Sequence, residues 1–458
     1  MNLLLLLSAL LPWGRSPGSL FTRIYIAISL LSVEMQLITL IGVGTFRSLV
    51  VFNAMLAGLL VAWQRRRGVA FQGWGFTFRA PAPWPAWTLI AGVVLALNVL
   101  LPLEAADPYH LDRVAQIERL GTLEYDPAAN SKLNVLGWIY ELVLADVRQI
   151  PLIGPSLVHV HGLFGLLLYA VAIAAVQVRL RPGPSTWPFA ALLVVPPLFH
   201  QLVLVKNDLF AAAPALVALV WLVTQEGRAT WRETVVAGWL IGLVVACKLT
   251  NFPLAVVMIV GLFATRHGPV WRPLGGLALG GTIGALSGGL FFTLFENAKW
   301  YGSILPSGPI EAMGNSTSGL MDAAVSVARF GISLFDQGLL TRMLWPDRGG
   351  WGGTFGLPFA WAVVVLVLHY RRAREARLAL WIGASHFLAF AAIFPDADVH
   401  QRLALAPALL VVVVAVHVLD RGERHARLAT LALVPVLVLS SAQVLRSAIL
   451  YLVRAGGS

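Results

Sequence analysis

Asp107-Pro108-Tyr109-His110 sets a carboxylate, a phenol and an imidazole within one helical turn, inside a charged stretch, 104–134, of an otherwise apolar chain. A carboxylate placed there can take a proton from a hydroxyl group, and the two ring groups can orient it. Pro108 suits the first position of a helix that would carry Tyr109, His110, Asp112 and Arg113 until Gly121 stops it. The plainer reading is that Asp before Pro is a favourable N-cap. A second polar group, Lys206-Asn207-Asp208, falls between two apolar segments, where three such side chains are costly unless they line water or a ligand. Asp208 can likewise be an N-cap, or it can join Asp107 in holding a divalent cation such as Mg or Mn or in orienting a substrate hydroxyl. No metal-ligand spacing in the chain demands that ion.

Three further places carry candidate chemistry. Lys248 precedes Thr250 and Asn251 in a short turn, where its ammonium either holds a phosphate or snorkels to the interface. Asn297, Trp300, Tyr301, Gly302 and Pro306 combine aromatic and amide groups, which suit a carbohydrate or lipid headgroup but equally an interfacial belt. In Asp396-Ala397-Asp398-Val399-His400-Gln401-Arg402, the Arg402 guanidinium matches phosphate oxygens in a fork, with His400 beside it as a second substrate-binding group. His159 and His161, two apart on a predicted helix, point in different directions and do not form a zinc pair.

The elements that must position these residues are membrane helices. Of the 458 residues, 58% are hydrophobic and 12% charged, far more apolar surface than one soluble core can bury. The reading is an all-α polytopic membrane protein with spans near 20–43, 46–63, 86–103, 157–178, 186–204, 209–224, 234–247, 251–264, 274–295, 355–370, 378–394, 403–419 and 428–445, about 13 in all. Residues 1–12 are either a short tilted span or an interfacial segment. Glu34 and Gln36 fall inside the first full span and read best as helix-packing hydrogen bonds. Gly276, Gly280, Gly284 and Gly288 recur every four residues and predict close helix packing.

Alternating the spans puts Arg65–Arg67, Arg179, Arg181, Arg228, Arg232, Arg266, Arg272, Arg371–Arg377 and Arg421–Arg427 in short loops on one side, a positive-inside pattern. The formal charge of +11 is thus explained by loops and not by a nucleic-acid-binding face. Asp107, Asp208, Lys248, the loop 296–354 and Arg402 fall together on the opposite side. In the loop 104–156, Asp107-Pro108 and Asp126-Pro127 predict two helices lying on the membrane surface. One cysteine, Cys247, excludes an internal disulfide.

Asp107-Pro108-Tyr109-His110, Gly121-Thr122-Leu123, Asn134, Lys206-Asn207-Asp208, Lys248-Leu249-Thr250, Tyr301-Gly302 with Pro306, and Gln401-Arg402 with Pro407 together resemble bacterial GT-C glycosyltransferases. The resemblance implies a GT-C-like bundle with surface helices in the first large periplasmic loop, an N-terminal part, 1–85, and a catalytic domain, 86–458, including the periplasmic loops 104–156 and 296–354. It further implies a polyprenyl-phosphate-linked sugar donor, a glycan, lipid or protein acceptor, inversion at the anomeric carbon, and a bacterial inner membrane location among membrane lipids. Asp107 and Asp208 would then be catalytic, and Tyr109, His110, Lys206, Asn207, Lys248, Tyr301, His400 and Arg402 would bind substrate. Departures from the pattern are a single rather than paired Asp107 and Ile304-Leu305-Pro306 where an aromatic is common. The main rival is a transporter or flippase of a lipid-linked or anionic substrate, which needs similar residues but tends to show repeated halves with broken helices. No internal repeat is evident. A catalytically silent relative or a structural partner in envelope assembly is the remaining alternative.

Overall fold

The structure, a computed structural model, describes residues 1–10, 16–67, 82–100, 108–126, 137–150, 161–180, 187–203, 206–225, 229–265, 270–306, 320–335, 355–393, 401–419 and 424–456. Among these residues all regular structure is helical. The first helix, α1 (Asn2–Leu10), lies parallel to α3 (Leu49–Arg66): Asn53 Nδ2 donates to Asn2 Oδ1 at 3.1 Å and Gln64 Nε2 donates to the Ala9 carbonyl at 2.9 Å. The opening segment is therefore a helix about 13 Å long packed against α3. Between them α2 (Pro17–Ile41) starts on a Ser16 cap with Pro17 in its first turn and ends at Gly42, whose φ of 71° suits glycine.

The chain continues through α4 (Trp84–Leu100), α5 (Pro108–Leu120), α6 (Ile139–Arg148) and α7 (His161–Leu180). Next come a 3₁₀ turn at Trp187–Leu193, α8 (Pro196–Val203), α9 (Asp208–Thr224), α10 (Trp231–Cys247), α11 (Phe252–Thr265), α12 (Trp271–Ser287) and α13 (Leu290–Tyr301). The last helices are α14 (Leu320–Phe335), α15 (Gly356–His369), α16 (Arg374–Ile393), α17 (Leu405–Leu419) and α18 (Arg424–Gly456). Apolar on every side, α17 is buried at every residue, and α9 is buried at all but Val217 and Thr224. They pack on each other, with α7, α10 and α11 around α9 and α15 and α16 around α17. Helix α18 is mostly exposed and apolar, as a helix facing lipid must be.

Four described helices are long and apolar enough to cross a membrane: the segments Gly18–Ile41, His161–Leu180, Arg374–Ile393 and Arg427–Arg446. The pair α12–α13 makes a fifth if its bend of 57° is counted within one span, and several shorter apolar helices accompany them. The protein is a polytopic membrane protein. Two expected spans differ in the structure. The segment 186–204 is a 3₁₀ turn and then α8, because Pro196-Pro197 supplies no N–H to continue a helix. The segment 274–295 breaks at Gly288-Gly289, where Gly289 has φ 83° and sits so close to Trp138 that a Cβ would overlap the indole.

The bundle has two chemically distinct ends. At one, Arg65 and Arg66 finish α3, Arg179 Nε donates to Thr224 Oγ1 at 2.9 Å while its Nη1 lies 3.8 Å from Glu233 Oε1, and Arg374 donates to the carbonyls of Gln225 at 2.9 Å and Thr265 at 3.3 Å. At the other, the turn after α2 meets the end of α5: Phe46 N donates to Gly121 O at 2.7 Å and Leu123 N donates to Thr39 Oγ1 at 2.9 Å. Asp146, fully buried on α6, binds the start of α1 there, accepting from the backbone N–H groups of Asn2 at 2.8 Å and Leu3 at 2.7 Å.

The glycine series does pack helices. In α12, a Cβ on Gly280 would overlap the Val235 carbonyl oxygen and one on Gly284 that of Trp239, while Gly238 and Gly242 of α10 face the α12 backbone as closely. Added methyls must push the two backbones apart. Gly280→Ala and Gly284→Ala are each expected to lower stability by about 1–3 kcal/mol, measured as detergent-solubilised thermal unfolding. Gly281→Ala, whose Cβ would meet nothing nearer than 3.9 Å, should be neutral or slightly stabilising. Equal losses at all three positions would contradict this packing.

Candidate active site

Lys206, Asn207 and Asp208 lead into α9 and are all buried. Lys248 follows the last turn of α10, its backbone N–H still bonded to the Val244 carbonyl. Its Nζ forms an ion pair with Asp208 Oδ1 and lies 3.5 Å from Asn207 Oδ1. Asp208 stands in the first turn of α9 and Lys248 at the C-terminal end of α10, so each charge also has the favourable pole of a helix dipole beside it. With side chains exposed by only 3% and 18%, the two groups depend on each other, because a charge so buried is tolerated only when paired. The N-cap position is Asn207 and not Asp208, which stands inside the first turn and is half of an ion pair with the expected phosphate-binding lysine.

The short turn Leu249–Asn251 packs against the turn Gln401–Ala404, so the backbone carrying Arg402 lies beside Lys248. Asp107 and His400, with Asp396 and Asp398, lie outside the described residues, as do the side chains of Tyr109 and Arg402. Among the described residues no three His, Cys, Asp or Glu side chains meet as a metal site.

The helix expected after Asp107 forms as read: Pro108 opens α5, and Gly121, with φ 69°, follows its last turn. The second helix corrects the surface reading. Helix α6 is buried from Ile139 to Asp146, packed on α5, α1, α2 and α10. Its start is wedged against α10, since a Cβ on Gly137 would overlap the carbonyl oxygens at the end of that helix. Buried His110 pairs through Nδ1 with Glu141 Oε1 of α6. Beyond them Arg113 Nη1 donates to Gln116 Oε1 at 2.8 Å, while Arg113 Nε and Nη2 are buried with no hydrogen-bond partner. Burial lowers the Arg113 pKa, opposed by nearby Tyr125 and Glu141. Burial raises the Tyr125 pKa well above its usual value, Arg113 acting the other way, so Tyr125 is a phenol at neutral pH. Its hydroxyl binds Asn297 Oδ1 of α13, and its ring lies 6.3 Å from that of half-exposed Tyr301.

Ring contacts join the two polar groups. His110 meets Tyr140 edge-on with centroids 6.1 Å apart, and Tyr140 lies 5.4 Å from Phe210, two residues beyond Asp208. The structure therefore brings His110, Lys206, Asn207, Asp208 and Lys248 to one end of the bundle, with Tyr301 on its rim through Tyr125. Sequence reading missed Glu141 and Asp146 as buried acids and did not single out Tyr125. Two acids in the apolar run Ile139–Asp146 were the available signal.

A helical membrane bundle that collects charged and hydrogen-bonding groups at one end, beneath a short helical roof, has the layout of an enzyme acting where membrane meets water. The chain belongs to glycosyltransferase family 87, whose sequence model matches residues 150–395, more than half its length, and which is one of the GT-C-like membrane glycosyltransferases. The match includes Lys206, Asn207, Asp208, Lys248 and Tyr301 and stops short of Asp107, Tyr109, His110, His400 and Arg402. No curated protein and no solved structure matches the chain.

Replacing Lys248 with Met should strand the Asp208 carboxylate and cost about 3–5 kcal/mol, whereas Lys248→Met combined with Asp208→Asn should recover much of that loss. Thermal unfolding of the three variants reads this coupling. Additive losses would mean that the two charges do not depend on each other.

Proposed function

We propose that this glycosyltransferase takes its sugar from a polyprenyl-phosphate donor and transfers it, with inversion, to a glycan, lipid or protein acceptor at the periplasmic face of a bacterial inner membrane. The catalytic bundle would be residues 86–458, within a chain of about 13 spans. The observation that carries the reading is the gathering of Lys206, Asn207, Asp208 and Lys248 with the Arg402 turn at the end remote from Arg179 and Arg374. Arginine-rich loops mark the cytoplasmic side. Nucleotide sugars are not supplied on the other side, so a donor there is most simply a lipid phosphate.

Asp107, one residue before α5, would accept the acceptor hydroxyl's proton as that oxygen attacks the anomeric carbon. The bond from that carbon to the phosphate oxygen would break with its electron pair left on the lipid phosphate. Arg402 and the outward side of Lys248 would stabilise the growing charge, while Asp208 and Asn207 hold Lys248 in place. A single displacement of this kind inverts the centre. His110, fixed by Glu141, would position the acceptor with Tyr109, and Tyr301, Lys206 and His400 would complete the substrate contacts. No step is assigned to a divalent cation. The broken pair α12–α13 is the one feature that transporters share. Its bend brings α13 to Tyr125 and so belongs to the roof over the site, and the polar groups cluster at one end of the bundle.

Asp107→Asn separates capping from proton transfer, because asparagine caps a helix but cannot take the proton. The variant should fold and bind polyprenyl phosphate as the wild type does, while transfer falls on the order of a hundredfold or more. Near-normal turnover by folded Asp107→Asn protein would remove Asp107 as the base.

A further inference from the structure

Arg113 is anomalous in this fold. Its residue is only 3% exposed, and its one hydrogen-bond partner is the neutral Gln116 of the same helix, itself tied to the Glu124 carbonyl at 3.3 Å. Glu141 acts on it electrostatically but spends one oxygen on His110, keeps the other without a hydrogen-bond partner and forms no ion pair with Arg113. A guanidinium shut away from water without a direct ion-pair partner is among the more unfavourable arrangements a protein can hold. The two unsatisfied atoms are Nε and Nη2, adjacent donors on one edge of the fork, and that edge is the one a phosphate or carboxylate takes with two parallel hydrogen bonds.

The second observation is the state of the expected phosphate-binding cation. Lys248 is already neutralised by Asp208, so a further positive group would add to Arg402 in seating a phosphate. Arg113 lies on the same face of α5 as His110, one turn along, where α5 packs on α6.

We propose that Arg113 is a substrate-binding residue whose open guanidinium edge receives a phosphate oxygen of a lipid-linked substrate. The inference rests on the lipid-phosphate reading given above for the origin of that phosphate, though not for the need of an anion. Binding requires α5 to move off α6 far enough to admit the oxyanion. The shared chemistry is a phosphate ester. It belongs either to the polyprenyl-phosphate donor or to a phospholipid acceptor.

The test uses the purified full chain in detergent, unfolded thermally alone and with polyprenyl monophosphate, phosphatidylglycerol or inorganic phosphate, comparing wild type, Arg113→Gln and Arg113→Lys. Removing an uncompensated buried charge should leave unliganded Arg113→Gln as stable as the wild type or more so. The stabilisation produced by a phosphate lipid should disappear, with affinity weakened by about tenfold or more, and Arg113→Lys should restore only part because an ammonium cannot present the fork. An Arg113-dependent response to polyprenyl monophosphate supports both the residue's role and the donor. The same response to phosphatidylglycerol alone supports the residue and removes the donor reading. A response to inorganic phosphate alone, or to no probe, overturns the proposal, as does an Arg113→Gln protein that loses stability yet binds every lipid as the wild type does.

Discussion

A charge inside an apolar bundle must find its partner within the protein, and the Lys248–Asp208 pair is where this chain meets that requirement most directly. The two groups come from the end of α10 and the start of α9, helices joined by a connection at the other end of the bundle. Helix termini are the natural places for such groups, since the dipoles favour an acid at an N-terminus and a base at a C-terminus. Once α9 is held as the central helix, its first turn and the last turn of α10 are brought level. The Gly238, Gly242, Gly280 and Gly284 contacts hold α10 against α12, and the Gly289 bend then lets α13 turn towards the roof.

The roof is built on the same principle. Helix α6 carries two acids into the interior, and each is given a task there: Asp146 binds the start of α1, and Glu141 fixes His110. Tyr125 ties the segment after α5 to Asn297 on α13. Two layers of polar groups are thereby joined by a short aromatic bridge, His110 to Tyr140 to Phe210.

Much of this was legible in the sequence, for identifiable reasons. Pro108 and Gly121 bound α5 because their backbone preferences act locally, and the four-residue glycine spacing announced a close helix contact that needs no knowledge of the partner. The Lys206-Asn207-Asp208 cluster stood out because polar groups between apolar helices are expensive. The pairing of Asp208 with Lys248 depends on how two helix ends align, and no local pattern encodes that. Helix α6 read as a surface element because its apolar residues recur at helical spacing, a pattern common to interfacial and buried helices alike. The run 274–295 read as one span because hydropathy does not register a bend, although Gly288-Gly289 marked it.

The central claim is that the transferred sugar comes from a lipid phosphate, and its most direct test is incubation of the purified protein with a panel of polyprenyl-phosphate sugars and nucleotide sugars, followed by mass spectrometry of the lipid and acceptor fractions. The account predicts that one polyprenyl-phosphate sugar is consumed, leaving free polyprenyl phosphate and an acceptor heavier by one sugar. Transfer from a nucleotide sugar, with every lipid-linked sugar left intact, would contradict it.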